Sequence, residues 1–225
     1  MAVSGQCEED RLRRSGIDSV LNVLELACVG AEDELLEIGC GVARIGLEIG
    51  PHCRQWTGAD TSANMLRFAA DRVRGFDNLR LVHLQQVGLA EFPDASFDVV
   101  YATNMIPHID ELDRWWYVKE AFRVLRPGGR IFIDNVDLEC DAGWTIFAND
   151  AMRFRNVERP PYMPRYSTAA ELMSYATRAG FQRVVAHRRS PLVIMIAAKP
   201  GLPNEVQAAV DVAERAFERS YKQHT

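Results

Sequence analysis

The sequence predicts an α/β protein. Helices should cover both faces of a seven-stranded, mostly parallel sheet, a three-layer sandwich with an antiparallel C-terminal hairpin strand. Three observations carry the prediction. Short apolar runs alternate with stretches of helical period between Glu8 and Ala198, the pattern of a parallel sheet buried on both sides. The first run, Glu34–Ile38, leads into Gly39-Cys40-Gly41, and a glycine turn between strand and helix lets a ligand come close to backbone. Near the end, Phe181–Arg188 and Leu192–Ala198 flank Ser190-Pro191, and a connection that short joins antiparallel strands.

From Glu8 to Cys28, the residues Leu12, Ile17, Val20, Leu21, Leu24 and Ala27 recur at helical spacing. Residues 1–29 therefore read as a helical cap. A helix from Ala43 to Ile49 stops at Gly50-Pro51. The second strand, Gln55–Asp60, ends on a carboxylate. Ser62 is placed to N-cap a helix running to Arg74, with Gly75 closing it. Strands follow at Leu79–Leu84 and at Phe97–Thr103, the latter opened by the turn at Pro93-Asp94. A helix over Glu111–Leu125 stops at Pro127-Gly128-Gly129, and a fifth strand spans Arg130–Asn135.

Residues 136–166 show no clean period and hold Pro160, Pro161 and Pro164. They read as a lid-like insertion, because connections of that length in compact domains are often functional. Thr168 and Glu171 form a capping box for a helix to Arg178, backed by Gly180. Val206, Val210, Ala213, Phe217 and Tyr221 fall on one stripe, so residues 201–225 read as an amphipathic helix beyond a domain of residues 1–200.

At 225 residues the chain suits one domain. Its 48% apolar and 25% charged content is ordinary for a globular protein. A net charge of −5 argues against a broad nucleic-acid surface. The five cysteines are scattered and lack CxxC spacing, which predicts reduced thiols and a cytoplasmic location. The start, Met-Ala-Val-Ser-Gly followed by charged residues, has no apolar core of a leader, and no apolar run approaches a membrane span. The histidines share no metal-ligand spacing with carboxylates, so no metal is expected.

Asp60 lies about 20 residues beyond the glycine turn, where a carboxylate can take two ribose hydroxyls. A nucleoside-type cofactor follows. The dinucleotide fingerprint fails, because Arg44 stands where its third glycine belongs, and no Gly-Lys-Ser/Thr of a P-loop follows. What remains, Glu37-x-Gly39-x-Gly41, resembles motif I of the class I S-adenosylmethionine-dependent methyltransferases, with Ala43 in place of that family's third glycine. The likeness continues through Gly58–Leu66, Phe92–Val100 and Arg123–Arg130, and covers about residues 33 to 136.

The resemblance, to the bacterial small-molecule type, implies a Rossmann-like fold and S-adenosylmethionine as cofactor. It further implies methyl transfer to an O, N or C nucleophile of a small acceptor. The cofactor residues it implies are Glu37, Gly39, Cys40, Gly41, Asp60, Thr61, Met65, Val87, Gly88, Leu89 and Asn104. Many relatives carry an acid that grips the adenine amino group; Val87, Gly88 and Leu89 stand there instead, so backbone groups would serve the adenine edge. His108, after the fourth strand, is the candidate general base, histidine being the side chain that exchanges protons near neutrality. Tyr162, Arg165 and Tyr166 in the insertion are candidate substrate contacts. A monomer or a homodimer would suit this reading. A methyltransferase of a protein or RNA partner, and a cofactor-binding protein without catalysis, are the alternatives.

Overall fold

The computed structural model describes residues 19–160 and 163–201. Its elements, in chain order, are α1 (residues 19–26), β1 (Glu34–Ile38), α2 (Arg44–Ile49), β2 (Gln55–Asp60), α3 (Ala63–Val73) and β3 (Leu79–His83). Then come β4 (Phe97–Ala102), α4 (Glu111–Val124), β5 (Leu125–Val136), α5 (Asp141–Arg153), α6 (Ala169–Ala179), β6 (Gln182–Arg189) and β7 (Leu192–Ala198). The expected helix over residues 201–225 and most of the N-terminal cap lie outside the described residues.

The sheet order is β3-β2-β1-β4-β5-β7-β6. β3, β2, β1, β4 and β5 pair in parallel, while β7 runs antiparallel to both β5 and β6. The central strands are apolar on both faces, as a sheet covered twice requires. Successive residues alternate sides. Leu36, Val100 and Ile131 face Val118 and Ala121 of α4 and Leu172 of α6. Their neighbours Leu35, Val99 and Phe132 face Val23 of α1, Ile45 of α2 and Ala69 of α3.

Trp56 sets how closely α2 can approach the sheet. A Cβ added at Gly46 would lie 2.4 Å from the Trp56 ring, and one at Gly58 would lie 2.2 Å from it. The two glycines sandwich the indole. Close helix–strand contact is thus made two residues beyond Arg44, with an aromatic ring as the filler.

Most predicted caps form. The Ser62 hydroxyl accepts from the Met65 N–H at 3.3 Å and that of Thr168 from the Glu171 N–H at 3.2 Å. Glu171 does not return the bond of a capping box; its carboxylate is engaged by Arg114 at 2.9 Å. β5 starts earlier than expected, because Leu125 pairs with Phe97 before a bulge, and regular pairing resumes between Arg130 and Val99. The insertion is the main departure. It contains the 13-residue helix α5, whose first turn is capped by the Cys140 sulfur, accepting from the Gly143 N–H at 3.4 Å. α5 lacks a clean amphipathic stripe, since Trp144, Ile146 and Met152 are all exposed, so its periodicity is hidden in the sequence. It is seated tightly: a Cβ at Gly143 would fall 1.9 Å from the Asp137 carbonyl oxygen.

Candidate functional site

The chain leaves β1 toward β2 and β3, then returns across it to β4 and β5. The crevice at that reversal, outside the carboxyl ends of β1 and β4, is where open α/β sheets bind ligands. Gly39, Gly41 and Ala43 enter it in alternation with left-handed backbone, at φ of 73°, 55° and 59°. The conformation that suits a third glycine is therefore present, held by an alanine. Gly39 and Cys40 donate to the Ala59 carbonyl at 2.8 and 3.1 Å, which ties the loop to β2. A Cβ at Gly39 would meet Met105 at 2.4 Å, whereas one at Gly41 would meet nothing within 4 Å. Gly41 thus borders open space.

Asp60 braces this loop. One carboxylate oxygen accepts from the Gly41 N–H and the other from the Ser62 N–H, both at 2.8 Å. A carboxylate oxygen can accept about two hydrogen bonds, so each keeps capacity for a further donor. Thr61 is exposed, with its carbonyl 3.1 Å from His83 Nε2, and Met65 is half-buried on the first turn of α3. Cys40 is buried, its sulfur packed toward Gly58. Burial, with Glu37 and Asp60 nearby, pushes its thiol far up and out of nucleophile chemistry.

Behind the loop lie two buried carboxylates. Glu37 Oε2 accepts from the Trp56 indole N–H at 3.1 Å and the Tyr101 hydroxyl at 3.0 Å. Burial pushes its pKa up to about 8, opposed by the Tyr101 hydrogen bond and the positive Arg44. Asp134 on β5 accepts the Asn104 N–H at 2.8 Å, and burial pushes it up to about 7, opposed by that bond and by Arg44. Arg44 is half-buried and stands within electrostatic reach of both acids.

Val87, Gly88 and Leu89 do reach the crevice rim, but not as three equal binding groups. Leu89 is buried, and its carbonyl accepts from Arg123 Nη2 at 2.8 Å. Gly88 has a φ of 112°. Val87 projects with 39% of its surface exposed.

On the other side of the crevice, Asn104 is exposed with a φ of 54°, a conformation asparagine tolerates. His108 is exposed at the end of the 3-10 turn Ile106–His108. This turn is fastened by Arg114, a 3% exposed arginine on α4. Arg114 donates to the carbonyls of Ile106 at 3.2 Å and Arg165 at 2.9 Å, to the Ser167 hydroxyl at 3.1 Å and to Glu171 at 2.9 Å. Asn135 adds bonds to the Arg165 carbonyl at 3.1 Å and Ser167 at 2.7 Å. Tyr166 is half-buried, packs edge-on to Phe147 at 5.3 Å and donates to Asp150 at 2.5 Å. Tyr162 lies outside the described residues. Arg114 and Asp134 escaped the sequence reading. Their signal was a charge on the buried face of a helix and a charge inside the run Ile131–Val136.

Residues 36–133 match the family described as Methyltransferase domain. The 27-O-demethylrifamycin SV methyltransferase of Amycolatopsis mediterranei is 38% identical over 104 residues, 45% of this chain and 38% of that protein. The demethylmenaquinone methyltransferase of Listeria welshimeri is 31% identical over 140 residues, 58% of this chain and 56% of that protein. The YcgJ protein of Bacillus subtilis superposes with a TM-score of 0.65 at 18% identity, over 82% of this chain and 99% of that one, and shares the fold. The chain spans 38% and 56% of the length of the two curated relatives named.

Residues 36–133 are thus similar to the S-adenosylmethionine-dependent methyltransferases, and S-adenosylmethionine is the cofactor that goes with such a domain. Its residues fit that group. Gly41 opens onto free space, Asp60 keeps acceptor capacity at the crevice, and the buried Thr103 hydroxyl at the end of β4 has no partner.

Proposed function

We propose that this protein is a methyltransferase whose acceptor is a small organic molecule, bound against Asn104, His108 and the segment after α5. The observation that carries the reading is the left-handed Gly39–Ala43 loop with the Asp60 carboxylate across it. It is an adenosyl-binding cradle in the crevice where this fold places ligands. In this reading Asp60 holds the ribose and the loop N–H groups and Glu37 lie toward the amino-acid end. Val87 and Gly88 lie along the base. The names of the rifamycin and menaquinone relatives support a small acceptor.

Bound S-adenosylmethionine supplies a sulfonium methyl with a neutral thioether as leaving group. The chain's own part is to hold an acceptor nucleophile in line and exclude water, which is worth up to roughly 7–11 kcal/mol in favourable cases. His108 would take the proton of an acceptor that arrives as an alcohol or an ammonium. Among the described residues no helix is long and apolar enough to cross a membrane. Cys40, Cys53 and Cys140 are thiols outside any disulfide, which supports action in a reducing, cytoplasmic setting.

Calorimetric titration with S-adenosylmethionine and S-adenosylhomocysteine, followed by methyl-labelled cofactor with a small-metabolite extract, tests this. Binding of both ligands and label in the small-molecule fraction are expected. Label confined to macromolecules would point to a protein or RNA acceptor instead. Binding without turnover would leave a non-catalytic binder.

A further inference from the structure

We propose that Glu120 and Arg123 of α4 are positioning residues for adenine recognition. They hold the Val87–Leu89 backbone rigid so that main-chain groups, not a side-chain carboxylate, can read the base edge. This rests on the cofactor reading above and adds who enforces its adenine side.

The geometry is a clamp. Arg123 uses all five of its N–H groups. Nη2 reaches the Leu89 carbonyl at 2.8 Å and Glu120 at 2.7 Å, while Nη1 reaches the Phe92 carbonyl at 2.9 Å and Asp94 at 2.7 Å. Nε reaches Glu120 at 3.1 Å. Glu120 completes the circuit by holding the guanidinium through Nε and Nη2. The Leu89 and Phe92 carbonyls are therefore both held by one ion pair. A Cβ on Gly88 would lie 2.7 Å from Trp116 Nε1, so the loop rests directly on the helix.

Trp116, Glu120 and Arg123 follow one another at spacings of four and three residues, on one face of α4, which is the spacing needed to grip a loop laid along it. A carboxylate could rotate to find the adenine amino group. A peptide group cannot, and hydrogen bonds weaken steeply with misalignment, so main-chain readout needs such an external brace. That accounts for an ion pair with five acceptors at a loop whose own side chains are apolar.

The test compares S-adenosylhomocysteine with S-inosylhomocysteine, in which the adenine amino group is replaced by oxygen. Calorimetry on the full chain should show the parent preferring the adenosyl ligand by roughly tenfold, the effect of one well-aligned hydrogen bond. In Arg123→Met and in the milder Glu120→Gln, that preference should shrink toward threefold or less. Circular dichroism identifies which variants are folded, and Glu120→Gln, which keeps the side chain's shape, serves if Arg123→Met is not. An unchanged preference in folded variants would overturn the clamp's role. So would an equal weakening of both ligands, which is what a merely structural ion pair produces. A parent that binds neither ligand would instead overturn the cofactor assignment and the clamp with it. A parent that binds both equally would sink the clamp alone.

Discussion

From Gly39 to Ser62 the crevice wall is made of backbone. Two glycines and Ala43 take left-handed angles, the loop hangs from the Ala59 carbonyl, and Asp60 joins the two strand ends through main-chain N–H groups. From Asn104 to Ser167 the opposite wall is made of side chains. Arg114, Asn135 and Ser167 gather the carbonyls of Ile106 and Arg165 into one buried network. Backbone suits the first wall because its ligand is the same throughout the family. A side-chain network suits the second, since it can be rebuilt residue by residue for a different acceptor. On this view the first wall governs affinity for the cofactor and the second governs the shape offered to the acceptor.

The largest effect should come from cutting the first wall at its brace. Asp60→Ala removes the carboxylate proposed for ribose and leaves the Gly41 and Ser62 N–H groups without their acceptor. S-adenosylhomocysteine should bind about 100-fold more weakly, the loss of two hydrogen bonds to a charged group. A dissociation constant within threefold of the parent would break the division at its stronger half.

Arg114→Met attacks the second wall. It strands the carbonyls of Ile106 and Arg165 and the carboxylate of Glu171. Because Glu171 is partly exposed, the cost should be about 2 kcal/mol rather than that of a fully buried pair. Thermal unfolding measures this, and hydrogen exchange should quicken at residues 105–109 and 163–167. Affinity for S-adenosylhomocysteine should stay within threefold. A tenfold loss would mean that the two walls are one unit.

The same contrast explains what the sequence discloses. A backbone wall needs particular residues at fixed local spacing, so Glu37, the glycines and Asp60 can be read off within a couple of dozen positions. The strands were equally legible, because their apolar runs are continuous and their ends are marked by Gly, Pro and caps. The side-chain wall leaves no local trace. Arg114 meets Arg165 across 51 residues of sequence, and Asn104 meets Asp134 across 30. Helix α5 escaped for a different reason. It is held by a glycine against backbone and by Tyr166 packing on Phe147, not by a long apolar face. The tie of the Leu89 carbonyl to Arg123 is equally invisible, because spacing locates a loop and not its tethers.

Glu37 sharpens the comparison from just behind the first wall, where it is a buried carboxylate. Its folded pKa of about 8 lies above the ordinary 4.5, with burial as the main cause. Folded protein therefore binds the extra proton between those values. The stabilisation is fully present below about pH 4.5 and is lost as pH rises through about 8. The parent should lose roughly 3 kcal/mol between pH 5 and pH 8 through this group. Glu37→Gln, uncharged throughout, should flatten that slope in chemical denaturation. Parallel slopes for the two proteins would mean that Glu37 stays ionised and that Arg44, not burial, decides its state.

Ala43 offers the smallest effect and a sensitive check on the loop. Its φ of 59° and ψ of 35° cost an alanine about 1–2 kcal/mol, and a glycine nothing. Against that relief, Ala43→Gly deletes a fully buried methyl, worth about 0.8 kcal/mol. It also adds freedom to the unfolded chain, worth another 0.5–1 kcal/mol or so. The opposing effects are of similar size, so stability should change by less than about 0.5 kcal/mol. The same substitution at a buried position with ordinary backbone angles has no such relief and should destabilise by well over 1 kcal/mol. A loss of that size at Ala43 would show that the third turn of the loop is not left-handed, and that the first wall is built from two glycines alone.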